Sequence, residues 1–361
     1  MELTELSIEN IDCNQKVGGN LYYAPCPQKA LDFSGGSNIL PTPKKLLWTI
    51  KTKKINNRPD VEYKAALSNI ANKHGIDAKK VAISNNSYTM FDTVLKAVKA
   101  RGATMLMPCE TVYRDVCRLN GCDVFAYTLK ERKNFKFDSD DFIEGISSRT
   151  DVVVISNPNN VTGRVATRTD IKNVLDFCQA KGIYVVVDET YMDFVPDGIS
   201  AVDLISSYYN LIVIRSLSEY YNLAGVGAAY VVSSDEVMDN IREMQLPWQV
   251  DCCGAVLCEN AYKSDKFDLK TKKWIFEEKR KFVQKLKSLS NVKVINSDCH
   301  FLLLKLEDIS ATTVYRRLLK SNIIIRDASS FTGLDGSYIR VAVRDEKSND
   351  MFIESLLKCL I

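Results

Sequence analysis

The sequence predicts an α/β protein built on a mainly parallel sheet. From residue 80 to residue 232, short runs rich in β-branched residues alternate with amphipathic stretches. Two of these stretches, 89–102 and 167–182, have apolar residues at helical spacing and end in glycine. Strands separated by helices form a sheet that is covered on both faces. The predicted strands are 80–84, 103–108, 122–129, 151–156, 183–188, 211–216 and 226–232.

The pattern of the chain changes near residue 266. A long charged helix (270–289) leads to the strand-like runs "VKVIN" and "FLLLKL", the helix "TTVYRRLLKSN", and a hairpin-like pair around "IIIRD" and "YIRVAVR". We therefore predict a large domain over 45–255 and a small α/β C-terminal domain over 266–361. The N-terminal segment 1–44 is expected to pack with the small domain.

Composition and charge exclude several classes of protein. The formal net charge of +3 gives no reason to expect nucleic acid or an anionic membrane as a partner. No run approaches eighteen apolar residues, and the polar start "MELTELSIENID" does not resemble a signal peptide, so we expect a cytoplasmic protein. The eleven cysteines form no paired CxxC motifs, and there are only two histidines, so no metal site is predicted.

Polar motifs follow five of the predicted strands. They are "SNNSY" (84–88), "PCETVY" (108–113), "SNPNNVTG" (156–163), "DETY" (188–191) and "RSLSE" (215–219). In parallel sheets, ligands bind beyond the carboxyl ends of the strands. The motifs therefore predict a ligand-binding cleft at this edge of the sheet.

This series of motifs, in this order, resembles the class I/II aminotransferase superfamily, the fold-type I enzymes that depend on pyridoxal phosphate. The likeness is closest to the histidinol-phosphate aminotransferase and threonine-phosphate decarboxylase group, because of residues 31–40, 58–63 and 325–344. It covers essentially the whole chain. The resemblance implies a large domain with a mainly parallel seven-stranded sheet, a small α/β C-terminal domain, and dimers that share their active sites.

The resemblance also implies roles for the retained residues. Asp188 matches the carboxylate that keeps the pyridinium nitrogen protonated, and Asn160 and Tyr191 match the pair that binds the phenolic oxygen of the ring. Arg340 matches the arginine that binds the substrate carboxylate, and Arg326 the arginine that binds the substrate phosphate. The positions that collect donors around the cofactor phosphate are Asn86, Ser87, Ser216 and Ser218.

Other positions depart from the family pattern. Glu219 stands where the Schiff-base lysine is expected, and a carboxylate cannot form an imine. Gly227 replaces the arginine that clamps the cofactor phosphate, and Glu110 replaces the aromatic residue that stacks on the ring. Arg58 replaces a tyrosine that reaches the phosphate from the neighbouring subunit, and His300 stands in for an asparagine. A single designed inactivation would account for Glu219 but not for the other changes.

These departures predict a degenerate cofactor site. Pyridoxal phosphate is expected from the family, but it is not expected to be held covalently. The protein could also work without any cofactor. We expect a small anionic amino-acid-type ligand, with its carboxylate on Arg340 and a phosphate or second acid group on Arg326. Its amine would meet Glu219 and Glu110, and Arg58 would add positive charge. Glu219, Asp188 and Tyr191 are the candidate catalytic residues.

Three alternatives remain open at this stage. The chain could be a non-catalytic or regulatory subunit that completes the site of an active paralogue, in a heterodimer rather than a homodimer. It could be a repurposed enzyme that needs no cofactor, because neighbouring carboxylates raise one another's pKa and so create a general base. It could also be an enzyme of amino-acid metabolism that uses pyridoxal or pyridoxamine phosphate non-covalently.

Overall fold

The computed structural model describes residues 18–53, 55–196 and 198–360. Residues 1–17 of the predicted N-terminal segment lie outside the described residues. Within the described part of the chain, no helix combines the length and the apolar character that crossing a bilayer requires.

Strands and helices alternate through most of the chain. The strands are β1 (Leu31–Asp32), β2 (Val81–Ser84), β3 (Gly102–Met107), β4 (Asp123–Thr128), β5 (Val152–Ser156), β6 (Tyr184–Asp188), β7 (Leu211–Ser216), β8 (Ala229–Ser233), β9 (Val292–Val294), β10 (Phe301–Leu306), β11 (Ile323–Ile324), β12 (Arg326–Asp327) and β13 (Tyr338–Ala342). The helices are α1 (Lys44–Lys51), α2 (Lys64–His74), α3 (Ser87–Ala97), α4 (Thr111–Leu119), α5 (Ser139–Glu144), α6 (Arg168–Ala180), α7 (Asp235–Met244), α8 (Cys252–Asn260), α9 (Asp265–Lys287), α10 (Ala311–Lys320) and α11 (Glu346–Leu360).

The predicted seven-stranded sheet is confirmed. Its strand order is β2-β8-β7-β6-β5-β3-β4. The pairs β7–β6, β6–β5, β5–β3 and β3–β4 are parallel, whereas β8 runs antiparallel to both of its neighbours. The sheet is therefore mainly parallel, as the alternation of strands and helices predicted.

Both faces of this sheet are buried. Along β5, Val153 and Ile155 belong to one cluster of buried apolar residues, and Val152 and Val154 belong to a second cluster. Successive side chains of a strand point to opposite faces. A strand that is buried on both faces has no polar alternation, which explains why β5 reads as a continuous apolar run.

A second sheet, with the order β12-β13-β10-β9, is antiparallel throughout. A further parallel pair joins β1 to β11, with Leu31 opposite Ile323. The described part of the N-terminal segment therefore pairs with a strand from the C-terminal third of the chain. The domain boundaries at residues 44, 255 and 266 stay predictions.

A buried ion-pair cluster fixes the turn that follows β6. Arg215, in β7, donates from Nη1 to Glu189 Oε2 at 2.7 Å and from Nη2 to Asp193 Oδ1 at 2.6 Å. Glu189 Oε1 also accepts the backbone N–H of Ala201 at 2.6 Å. Residues 189–193 include Tyr191, so this cluster holds a predicted site residue against the sheet.

We predict that Arg215→Leu lowers the free energy of unfolding by about 3–5 kcal/mol, because it leaves the buried Glu189 carboxylate without its cation. Urea denaturation measures the loss. Arg168→Leu is the matched control, since Arg168 pairs with Asp203 at 3.3 Å with side chains 40% and 57% exposed. That change should cost less than about 1 kcal/mol. Equal losses in the two variants would contradict the proposed role of the cluster.

Candidate active site

A cavity of about 230 Å³ lies beyond the carboxyl ends of β6 and β7. Ten of the residues singled out in the sequence line it. The described residues that form its lining are Asn85, Asn86, Ser87, Tyr88, Glu110, Asn160, Asp188, Thr190, Tyr191, Ser216, Ser218, Glu219, Ala224 and Gly227. The fold thus brings the five polar motifs together.

Asp188 is the last residue of β6 and is buried. Its Oδ1 accepts from the backbone N–H of Thr190 at 3.0 Å and from the Thr190 hydroxyl at 2.6 Å. Burial raises the pKa of the Asp188 carboxyl, and the nearby Glu110 carboxylate raises it further, although hydrogen bonds oppose the change.

Glu219 is held in place by a neighbouring serine and by the N-terminal segment. The Ser216 hydroxyl donates to Glu219 Oε2 in a short hydrogen bond. The Glu219 carbonyl accepts the backbone N–H of Asn38 at 2.9 Å. Burial raises the pKa of the Glu219 carboxyl, and the charge of Asp188 acts in the same direction. The residue at the predicted lysine position is therefore a carboxyl group that is easier to protonate than an exposed one.

The loop after Glu219 leaves little room for an arginine that would bind a phosphate group. The Ser218 hydroxyl donates to the Val226 carbonyl at 2.6 Å and accepts the Ala228 N–H at 3.0 Å, so it closes this turn. A Cβ atom added to Gly227 would lie 2.6 Å from the Asn85 carbonyl oxygen. Real Cβ atoms do not approach backbone oxygens this closely, so an arginine at position 227 would require a backbone shift.

Glu110 directly precedes α4 and forms a buried ion pair. Its Oε1 accepts from Arg340 Nη1 at 2.7 Å, and the two side chains are only 8% and 6% exposed. Arg340 also donates to the Asn160 carbonyl and, at 3.3 Å, to the Ser34 carbonyl. Glu110 Oε2 is buried and has no hydrogen-bond partner among the described residues.

This ion pair changes the expectation for both residues. Arg340 was predicted to bind a ligand carboxylate, but Glu110 of the same chain supplies the carboxylate instead. Glu110 was predicted to receive a ligand amine, yet one of its oxygens already receives the Arg340 guanidinium. The sequence could not show this contact because the two residues are 230 positions apart.

Tyr191 and His300 pack against the described N-terminal segment. A Cβ atom added to Gly36 would lie 2.5 Å from the Tyr191 hydroxyl. Burial raises the pKa of Tyr191. His300 stacks on Phe194 with a centroid distance of 3.7 Å, and its Nε2 lies 2.7 Å from the Gly36 carbonyl. Burial lowers the pKa of His300 to about 3, so the ring is neutral and donates to that carbonyl.

The remaining predicted ligand arginines do not line the cavity. Arg326 is buried, and its guanidinium carbon lies 4.7 Å from the centroid of the Phe331 ring. Its strand position is opposite Arg340 in the second sheet. Arg58 is exposed and lies over the Trp248 ring at 4.2 Å. Its role in reaching the cleft of a neighbouring subunit stays a prediction.

Sequence reasoning missed several residues of the site and its support. Tyr88 lines the cavity directly after Ser87, and burial raises the pKa of its hydroxyl well above the usual range. Reading one residue further along the same motif would have found it. The partners of Arg215 were also missed, although an arginine inside the apolar run "LIVIRS" is a signal, because a buried charge needs a partner.

The start of α8 holds a small group of potential metal ligands. Among the described residues, Asp251, Cys252 and Cys253 bring three potential ligand atoms within 4.8 Å of one another. The Asp251 side chain already accepts the backbone N–H groups of Cys253 and Gly254 at 2.7 and 2.9 Å, as the N-cap of α8. This helix cap accounts for the position of the carboxylate, and we assign no metal to it.

The donor set of the cavity can be compared with what pyridoxal phosphate requires. The ring-facing residues Asp188, Asn160 and Tyr191 are in place, and the N-terminus of α3 offers backbone donors. The described lining residues include three carboxylates but no lysine and no arginine. They supply neither an amine for an imine nor a cation for a phosphate dianion, so they do not fit a covalently held pyridoxal phosphate.

Comparisons with known proteins agree with the fold. A family model described as aminotransferase class I and II matches residues 32–356. The threonine-phosphate decarboxylase of Salmonella typhimurium is 28% identical over an alignment that covers 96% of this chain and 97% of that protein. The histidinol-phosphate aminotransferase of a Thermoanaerobacter species is 28% identical over 86% of this chain and 87% of that protein.

Two solved structures have the same fold as this chain. The histidinol-phosphate aminotransferase from Clostridium acetobutylicum superposes with a TM-score of 0.85 at 28% identity, covering 90% of this chain and 98% of that chain. The L-threonine-O-3-phosphate decarboxylase from Porphyromonas gingivalis superposes with a TM-score of 0.82 at 25% identity, covering 91% of this chain and 99% of that chain. Together with the match to the family model, these likenesses show that the chain belongs to the class I and II aminotransferase family, whose members depend on pyridoxal phosphate.

Proposed function

We propose that this protein has a degenerate cofactor site and binds a small amine-bearing ligand of the amino-acid type without forming a Schiff base. One observation carries the proposal: the cavity is lined by Glu110, Asp188 and Glu219, with no basic side chain among its described lining residues. A positively charged ammonium group is electrostatically complementary to such an acidic lining. A hydrogen bond to a charged group contributes about 1.5–3 kcal/mol.

The character of the ligand follows from the groups around the cavity. Its ammonium would donate to the Glu219 carboxylate and to the unpartnered oxygen of Glu110. The relatives named above have a phosphorylated amino compound in their names, L-threonine-O-3-phosphate and histidinol-phosphate. That chemistry supports a phosphate or second acid group on the ligand, and this group would extend beyond the described lining, which has no lysine or arginine. Tyr191 and Asn160 would contact the body of the ligand.

A second candidate function is acid–base catalysis without a cofactor. The raised pKa values of Asp188 and Glu219 favour it, because a carboxyl group with a raised pKa exchanges protons more readily near neutrality. Glu219 would then act as the proton acceptor, with Ser216 orienting it. Turnover of an amine ligand by the purified protein, abolished in Glu219→Gln, would support this candidate.

We also infer that the chain self-associates through a surface next to Arg58. Val61, Leu246 and Trp248 are large apolar residues that are 48%, 75% and 43% exposed. Val61 and Leu246 line one groove of about 450 Å³. Exposed apolar groups of this kind are typical of interaction surfaces. A second copy docked here would bring its own Arg58 region close to the first, as the family resemblance implies.

The first prediction of the proposed function concerns the cofactor. After incubation with pyridoxal phosphate and reduction with borohydride, mass spectrometry should find no adduct on a cavity residue of the wild type. Glu219→Lys is the control that introduces an amine into the cavity, and it should yield an adduct at residue 219. An adduct on a native lysine that blocks ligand binding would contradict the proposal.

The second prediction concerns pH. Because the pKa of Glu219 is raised in the folded state, the folded protein binds this proton more tightly than the unfolded chain does. Wild-type stability therefore falls, relative to Glu219→Gln, as the pH rises from the unfolded pKa through the folded pKa. Urea denaturation should show the variant gaining more at pH 7 than at pH 4. Glu144→Gln, at an exposed position, is the control, and a gain that is larger at pH 4 would contradict the assignment.

The third prediction concerns association. Leu246→Asp should shift the protein from dimer toward monomer in sedimentation equilibrium at micromolar concentration, because it places a charge in the apolar surface. Leu269→Asp is the matched control, since Leu269 is 69% exposed on α9 and should leave the dimer intact. A wild type that is monomeric would overturn the inferred interface.

A further inference from the structure

The contact between Glu110 and Arg340 carries information about the ligand. Arg340 Nη1 contacts Glu110 Oε1 and the Asn160 carbonyl, and Nη2 contacts the Ser34 carbonyl. Both side chains of the ion pair are at least nine-tenths buried. A ligand carboxylate could therefore reach the Arg340 guanidinium only by displacing a buried carboxylate of the protein, which would lose its cation.

The second carboxylate oxygen of Glu110, Oε2, indicates which kind of ligand the cavity binds. Glu110 Oε2 is buried, has no hydrogen-bond partner among the described residues, and belongs to a residue that lines the cavity. A buried acceptor without a donor is unfavourable unless a ligand or water supplies one. The contact with Arg340 satisfies only Oε1, so the ion pair by itself leaves Oε2 free to accept a hydrogen bond.

The charges around the cavity favour the same ligand. Glu110, Asp188 and Glu219 are the acidic lining residues, and Arg340 offsets the charge of one of them. A ligand with an ammonium group reduces the remaining negative charge. A ligand that also brings an α-carboxylate adds a negative group beside the Glu110 carboxylate, where the Arg340 guanidinium is already paired with Glu110.

We propose that Glu110 is a built-in substitute for the α-carboxylate of an amino acid. The cleft then selects small primary amines without an α-carboxylate over the amino acids that carry one. Glu110 Oε1 neutralises Arg340, and Glu110 Oε2 accepts an N–H of the ligand's ammonium group. This inference rests on the proposed function, the non-covalent binding of an amine-bearing ligand, and names the specificity-determining residue of that site.

Two ligands that differ only in the α-carboxylate provide the test. Phosphoethanolamine and O-phospho-L-serine share the amine and the phosphate ester, and only the second carries the carboxylate. Isothermal titration calorimetry at pH 7 should show that the wild type binds phosphoethanolamine at least tenfold more tightly. Titration with inorganic phosphate alone measures how much of the affinity comes from the phosphate group.

Variants of Glu110 should reverse this preference. Glu110→Ala exposes the Arg340 guanidinium, so it should bind O-phospho-L-serine at least tenfold more tightly than the wild type does and bind phosphoethanolamine more weakly. Adding Arg340→Ala should remove the gain for O-phospho-L-serine. If Glu110→Ala does not fold, as judged by near-ultraviolet circular dichroism, Glu110→Gln keeps the shape and should change the preference in the same direction.

A matched control and distinct outcomes separate the two proposals. Glu131→Ala removes a glutamate that pairs with Lys305 at 2.9 Å and does not line the cavity, so it should leave the preference unchanged. A wild type that binds O-phospho-L-serine as tightly as phosphoethanolamine, or an unchanged preference in folded Glu110 variants, overturns the substitute-carboxylate role while ligand binding stands. No binding of either amine by folded wild type overturns both proposals.

Discussion

The buried ion pair between Glu110 and Arg340 is the interaction on which the cleft depends. Glu110 follows β3 of the seven-stranded sheet, and Arg340 lies in β13 of the antiparallel sheet. Their contact at 2.7 Å therefore connects the two sheets across the cleft. Since neither charge is exposed, each requires the other. The pair joins the two sheets and offsets the charge of one of the three carboxylates that line the cavity.

The departures from the family pattern form a consistent local structure. The Glu219 carboxyl has a hydrogen-bond donor in Ser216, and the Ser218 hydroxyl has both an acceptor and a donor within its own turn. The backbone at Gly227 lies so close to the Asn85 carbonyl that a side chain there would require a backbone shift. At positions 218, 219 and 227 the chain therefore packs without open hydrogen-bonding groups in the contacts described, whereas Glu110 Oε2 is left without a partner among the described residues.

Neighbouring residues in the same motifs have different roles: one lines the cavity and the next forms a buried ion pair. At the ends of β7 and β6, Ser216 and Asp188 line the cavity, whereas the adjacent Arg215 and Glu189 form a buried ion pair. Successive side chains of a strand point to opposite faces. The same short segments therefore build the site and anchor it to the core, so the position of Tyr191 depends on charges that never face the ligand.

Local sequence determined the sheet and the location of the cleft. The period of apolar residues predicts strands and helices, and polar residues at strand ends such as Asp188 and Ser216 meet because carboxyl ends of parallel strands share one edge. The chemical character of position 219 is likewise readable from the residue itself, because a carboxylate cannot form an imine.

Only the tertiary structure decided which charged groups contact one another. Glu110 and Arg340 are separated by 230 positions, and no local pattern indicates that one would take the place expected for a ligand on the other. The same holds for Arg215 with Glu189, and for the Ser218 hydroxyl, which bonds to its own turn instead of the cavity. The physical reason is that the partner of a buried polar group is set by which groups the folded chain brings within about 3 Å, whereas strand and helix patterns are set by neighbours along the chain.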